Sequence, residues 1–351
     1  MTQPEILSIN KLIANNMDTM TDKQPKVSVI IPVYNAGEYI RPCLDSLVNQ
    51  TLREIEIICV LDCPTDGTDK VVEEYAAKDS RIVVIHNERN IHTGESRNRG
   101  LQHARGEYVC FHDADDTCDN DRLEQLYLAT DKGEKKIVIS GVLADQILNP
   151  PIAVIKDYLP HQRAFLLLLQ RSVKADQLMY GHITPNLYSH KVIKDNNLLF
   201  ADSRKCWAED ILFNNSFLNN IHNDNEMNIL TKSFYHYRNH EQGIHVSRTY
   251  TDFNHILSYL NELYRIINDN REIDRAIMYD LFYCRIVQML YTCFLLDIRE
   301  FGFFKSSKKY RTVLSESYMM KDVIFNGKWI LSGLTLPKRL FIFWLKYILK
   351  H

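Results

Sequence analysis

Val27-Ser28-Val29-Ile30-Ile31-Pro32-Val33 runs into Tyr34-Asn35-Ala36-Gly37. Seven residues that are almost wholly apolar, without polar alternation, are what a strand covered on both faces requires. Asn35-Ala36-Gly37 supplies turn chemistry. The spacing of Ile40, Leu44, Leu47 and Val48 then predicts an amphipathic helix over residues 38–49. The same alternation repeats downstream. Residues 55–61 read as a second buried strand, followed by the turn residues Thr65-Asp66-Gly67-Thr68 and a helix over 69–78 whose first side chain, Asp69, suits the helix dipole. A short strand over 82–85, a helix over 95–104 stopped near Gly106, and a strand over 108–111 complete the series. Strands separated by helices of about ten residues are βαβ units on a parallel sheet. In such sheets ligands sit outside the carboxyl ends of the strands. Asn35, Asp62 and Asp113-Ala114-Asp115-Asp116 each follow a strand, so three polar stretches are expected on one rim.

Beyond Arg122 the pattern is less regular. Residues 137–142 read as a strand, 160–180 as helical and 225–237 as an extended pair. From Tyr250 the apolar positions Phe253, Ile256, Leu257, Leu260 and Leu263 recur at helical spacing, and 277–296 continues the helical pattern. The expected organisation is a lead-in over 1–25, an α/β domain over 26–250 and a C-terminal helical region over 251–351.

The 42 Lys and Arg nearly balance the 44 Asp and Glu, which excludes a generally basic nucleic-acid binder. The eight cysteines include Cys59 and Cys63, and Cys110 and Cys118, but no CxxC array, so buried thiols in a reducing compartment are expected. The first 25 residues show no apolar signal segment, and no apolar run is long enough to span a bilayer, so a cytoplasmic protein is expected.

Five stretches carry chemistry. Asp113, Asp115 and Asp116 concentrate negative charge after a strand, which suits a hard divalent cation, Mn²⁺ or Mg²⁺, with sites left for phosphate oxygens. An Asp-rich turn before the next helix is the alternative. Asp62 could accept from a ribose hydroxyl or a base N–H, or stabilise the turn after it. Arg97 and Arg99 lie near a helix start, where anions are favoured, or on its solvated face. Glu209 and Asp210 are adjacent, so at most one should enter a site, where it could act as a base; an acidic first turn is the alternative. The stretch through Arg238, His240 and His245 is a loop that could close on a diphosphate, or a surface loop.

Together, Val29-Ile30-Ile31-Pro32-Val33-Tyr34-Asn35, Asp62 with Thr65-Asp66-Gly67-Thr68, Arg97-Asn98, Asp113-Ala114-Asp115-Asp116 and Glu209-Asp210-Ile211-Leu212-Phe213 resemble the family 2 glycosyltransferases over residues 26–250. The resemblance implies an α/β, Rossmann-like GT-A fold with a helical appendage, and inverting transfer from a nucleotide-sugar, most commonly a UDP-sugar. It places Pro32, Tyr34, Asn35, Asp62, Arg97, Asp113, Ala114, Asp115, Glu209, Arg238, His240 and His245 around the donor. It gives Asp113, Asp115 and Asp116 to the metal and the role of base to Asp210. Three positions depart from the family pattern: Leu61 stands where a second acid is frequent, Cys63-Pro64 replaces a small pair, and His92 replaces a glycine. The acceptor implied is a growing cell-surface glycan or a lipid-linked one. Two other readings are a non-catalytic nucleotide-sugar-binding or assembly module of the same fold, and a nucleotidyltransferase. The first is opposed by the retention of Asp113, Asp115 and Asp210, the second by the lack of a Gly-rich phosphate loop after the first strand.

Residues 337–350 form a last helix, apolar over most of its surface, with Lys338, Arg339, Lys346 and Lys350 at its ends or edge. It is expected to lie on a membrane surface, at the inner face of the cytoplasmic membrane, or to dock on the protein or a second subunit in a homo-oligomer.

Overall fold

The computed structural model describes residues 24–144, 147–149, 182–206, 208–238, 253–269, 289–315, 317–326 and 336–350. Residues 1–23 of the lead-in, the expected helix over 160–180, residues 277–288 of the expected helical stretch, and His240 and His245 lie outside these residues.

The opening alternation is present. Strand β1 (Val27–Val33) is followed by a 3-10 turn at Gly37–Tyr39 and α1 (Ile40–Val48). Then come β2 (Ile55–Leu61), α2 (Thr68–Ala76), β3 (Ile82–His86), α3 (His92–His103) and β4 (Tyr108–Phe111). These four strands are parallel, with Val27 opposite both Ile55 and Tyr108, and Ile57 opposite Ile82. The unbroken apolar run of β1 follows from burial on both sides. Val27, Val29, Ile31 and Val33 pack with Leu44 and Leu47 of α1 on one face. Ile30 points to the other face, into a core shared with Leu101, Phe111 and Phe213. A side-chain period of two therefore feeds two cores rather than one.

The sheet continues through β5 (Thr117–Cys118), β6 (Ile137–Ala144), β7 (Ile147–Asn149), β8 (Leu187–Ser189) and β9 (Met227–Tyr237). The order is β3-β2-β1-β4-β8-β6-β9-β5, with β7 beside β6. β8 is antiparallel to both β4 and β6, and β9 is parallel to β6. The expected extended pair over 225–237 is one eleven-residue strand after a short 3-10 turn. It spans two partners, β6 and β5, so its length is used in full. Chain order reverses between β1 and β4, which is where a crevice opens in sheets of this kind. The β1–β4 pairing ends at Ile30 and Phe111, so Pro32 lies past the last pair on that side.

Helices α4 (Arg122–Leu128), α5 (His190–Asp195) and α6 (Glu209–Leu218) flank the sheet. The described part of the C-terminal region is helical: α7 (Phe253–Asp269), α8 (residues 289–301), α9 (Phe303–Ser315), α10 (Tyr318–Asn326) and α11 (Leu336–Lys350). Its apolar residues, Leu260, Leu314 and Leu345 among them, belong to the same continuous core as Ile30 and Phe111. The appendage is thus packed onto one face of the sheet.

Candidate functional site

The loops after β1 and β2 hold each other. Asn35 adopts a left-handed backbone, φ 44°, which asparagine tolerates better than most residues. Its Oδ1 accepts from the Thr65 amide at 2.7 Å. In return the Asp66 carboxylate accepts from the Gly37 amide at 2.9 Å and from the Thr68 hydroxyl at 2.6 Å. Burial works against the Asp66 charge, but these hydrogen bonds win and hold its carboxyl below the usual range. Asp62 is nearly buried, and its backbone amide donates to Val33. Its Oδ1 accepts from Asn87 Nδ2 and the Ile91 amide, and its Oδ2 from the His92 amide, each at 2.8 Å. Asp62 therefore shapes the loop that starts α3, including the left-handed His92.

The acidic turn lies across the β1–β4 crevice. Asp113 and Asp115 are partly exposed, and Asp116 is buried. Asp116 accepts from the Tyr235 hydroxyl at 2.6 Å and from the Arg238 amide at 2.8 Å. Burial, then the neighbouring charges of Asp113 and Asp115, push its carboxyl up to about 8. Behind the turn, Arg122 is fully buried, 3.2 Å from His112 Nδ1, and stacks over the Tyr235 ring at 5.0 Å. Burial and this guanidinium push His112 down to about 3, so it stays neutral.

Arg97 joins the acidic turn to α6. One nitrogen donates to Asp113 Oδ1 at 2.9 Å and another to Glu209 Oε1 at 3.2 Å. Burial disfavours its charge, but Asp113, Glu209 and Asp210 together raise its pKa. The α3 and α6 starts are also tied through the intervening loop, because the Gly94 amide donates to Ser203 Oγ at 2.9 Å and Asn98 pairs with the Phe200 backbone. Of the two adjacent acids, Glu209 is buried against Arg97, while Asp210 is partly exposed and its Oδ1 accepts from the Ile211 amide at 2.8 Å. Arg238 ends the described part of its loop with its guanidinium 4.9 Å over the Tyr39 ring.

Asn35, Asp62, Arg97, Asp113, Ala114, Asp115, Asp116, Glu209, Asp210 and Arg238 thus fall on linked loops around one crevice. Tyr34 is half exposed beside them, and Pro32 is partly exposed. The three carboxylates expected at the metal, Asp113, Asp115 and Asp116, lie together on this turn, with Asp116 the most buried. Among the described residues no three His, Cys, Asp or Glu side chains are arranged to hold a metal. Both oxygens of Asp116 already accept from β9 and its end. Asp113 and Asp115 lie on the partly exposed side of the turn, and their charge raises Asp116; hard carboxylate oxygens of this kind suit a divalent cation. Tyr235, Asn87 and Arg122 were not legible as site residues. Each acts through a partner: Tyr235 through Asp116, 119 residues away, Asn87 through Asp62, 25 away, and Arg122 through His112, 10 away.

The glycosyl transferase family 2 model matches residues 28–196. The uncharacterized glycosyltransferase EpsJ of Bacillus subtilis is 31% identical over 227 residues, which is 63% of either chain. The poly(ribitol-phosphate) beta-N-acetylglucosaminyltransferase TarS of Staphylococcus aureus is 29% identical over 228 residues, 64% of this chain and 37% of TarS. The chain thus covers less than two thirds of the length of these relatives. The crystal structure of TarS residues 1–349 in complex with UDP-GlcNAc matches with a TM-score of 0.67 at 22% identity, over 93% of this chain and 90% of that one. The motifs that line the crevice, from β1 through the acidic turn, fall inside the matched segment, so residues 28–196 are a glycosyl transferase family 2 segment, in a chain with a GT-A fold.

Proposed function

We propose that the chain is an inverting glycosyltransferase that moves a sugar from a UDP-sugar to a hydroxyl of a growing cell-surface glycan. The observation that carries this reading is the Arg97 bridge, which holds the Asp113 turn and the Glu209-Asp210 helix start on one crevice. The likeness to TarS, whose residues 1–349 are crystallised in complex with UDP-GlcNAc, supports UDP as the nucleotide.

Pro32, Tyr34, Asn35 and Asp62 border the nucleotide side, and Arg97 lies between the diphosphate and the acid pair. Asp113 and Asp115 would hold Mn²⁺ or Mg²⁺, which when bound offsets charge building on the leaving diphosphate. Asp116 stands beside them as the third carboxylate and anchors β9 through Tyr235, so that Arg238 and the loop carrying His240 and His245 can cover the donor. Asp210 takes the proton from the acceptor hydroxyl as that oxygen attacks the anomeric carbon from the face opposite the diphosphate. One C–O bond forms while the bond to the diphosphate breaks, so the anomeric centre inverts. The acceptor is a glycan, free or lipid-linked, and the reaction takes place on the cytoplasmic side of the membrane.

The test is a panel of UDP-sugars with Mn²⁺, read by UDP release and by the rise in melting temperature. One UDP-sugar should both stabilise the protein and be turned over, and EDTA should abolish the turnover. Stabilisation without turnover by any donor, with acceptor glycans present, would leave a binding module and sink the enzyme reading.

A further inference from the structure

Helix α11 has two apolar faces. Phe341, Ile342, Leu345, Ile348 and Leu349 are buried in the core, so the helix is already docked on the protein. Leu340, Phe343 and Tyr347 nevertheless stay 59%, 60% and 65% exposed. Their spacing of three and four residues puts them on one stripe. At 3.6 residues per turn, Arg339, Lys346 and Lys350 follow one another along a single border of that stripe. A second patch adjoins it. Phe304 at the start of α9 is 88% exposed, the most exposed large apolar side chain among the described residues. It meets Phe303, which meets Phe294, which stacks on Trp344 of α11 at 4.2 Å between ring centres. Exposed Lys305, Lys308 and Arg311 follow Phe304 along α9.

Charge separates these helices from the rest of the chain. α9 and α11 hold eight Lys and Arg and no Asp or Glu, in a chain whose net charge is −2. Lys309 is paired with Asp297 of α8 at 2.9 Å. Aromatic and aliphatic side chains standing out among cations, with no acid on either helix, match a surface whose interior is apolar and whose outer layer is anionic. A second copy of the same face would bring cations against cations.

We propose that α9 and α11 form a docking face for an anionic lipid bilayer, with Leu340, Phe343, Tyr347 and Phe304 inserted at headgroup depth. The helix does not cross: among the described residues none is long and apolar enough to do so. The proposal is independent of the transferase reading, because it needs neither donor nor acceptor.

The experiment is flotation of the full chain with phosphatidylglycerol–phosphatidylcholine vesicles and with phosphatidylcholine vesicles alone. The parent should float with the anionic vesicles at least tenfold better than with the neutral ones, and 0.5 M salt should weaken the binding. Two variants separate the contributions. Leu340→Ser with Phe343→Ser and Tyr347→Ser removes the stripe, and Lys305→Glu with Lys308→Glu and Lys350→Glu reverses exposed charges. Each should lower the bound fraction more than tenfold while keeping the parent's melting temperature and molar mass. Absence of binding to anionic vesicles at low salt, or binding equal to the parent's in both variants, overturns the proposal. So does a parent that is a dimer without vesicle affinity and becomes a monomer in the stripe variant, because the face would then join two copies.

Discussion

Arg97 donates to Asp113 across 2.9 Å, although the two lie on α3 and on the loop after β4. The same guanidinium reaches Glu209, more than a hundred residues further along the chain. Its side chain is only 6% exposed and that of Glu209 11%, so the pair with Glu209 is shielded from water and from salt screening, while Asp113 leaves the other pair partly open. The bridge couples stability to the geometry of the crevice.

Replacing Arg97 by Gln should therefore cost about 3 kcal/mol in urea unfolding, the usual scale for breaking a buried pair from one side. Arg97→Lys keeps the charge but offers one ammonium for two carboxylates, so it should restore less than half of that loss. A variant as stable as the parent would show that the bridge is not what holds the two elements together.

The adjacent acids should separate by phenotype. Asp210→Asn is expected to lower turnover by roughly two to four orders of magnitude, the scale of general base catalysis, while donor binding by calorimetry stays near the parent. Glu209→Gln strips the buried Arg97 of a charged partner and should show first as a lower melting temperature. Reversed phenotypes would exchange the roles.

Helix α3 lies so close to β1 that a Cβ on Gly100 would sit 2.4 Å from Ile30 Cγ2. Gly100→Ala should destabilise the protein by about 1–3 kcal/mol through overpacking, despite alanine's better helix propensity. In a double-mutant cycle with Ile30→Ala the added methyl should cost markedly less. An equal cost in both backgrounds would point away from this contact.

Among the described cysteines, Cys63 alone is not buried. Burial pushes the Cys59 thiol up to about 12 and Cys110 up to about 11, which keeps them protonated and unreactive at pH 8. Iodoacetamide should therefore modify Cys63 well ahead of these two in the native protein, as read by peptide mass mapping. A bound UDP-sugar should slow that modification several-fold, because Cys63 follows Asp62 at the nucleotide side. Labelling of Cys63 unchanged by a donor that raises the melting temperature would move the nucleotide away from this loop.

The parallel βαβ half was legible from sequence because its signals are local. An apolar run of seven residues, a turn and a helical period suffice, and β1, β2 and β4 have the predicted ends. The rim was legible for the same reason: a polar residue directly after a strand must sit at its carboxyl end. Local patterns could not reveal the partners of those polar groups. That Asp116 also accepts from Tyr235 and the Arg238 amide depends on the chain returning more than a hundred residues later. That Asp62 accepts from Asn87 and from the amides of Ile91 and His92 was hidden in the same way. Which of Glu209 and Asp210 pairs with Arg97 was likewise not visible in the local pattern. Sequence alone determined the alternation of strands and helices, the chemistry at the strand ends and the apolar character of the last helix, because each depends on residues within a few turns of one another. Tertiary structure decided which carboxylates are spent inside the protein and which face of α11 stays in water, because hydrogen bonds and burial depend on neighbours distant in the chain.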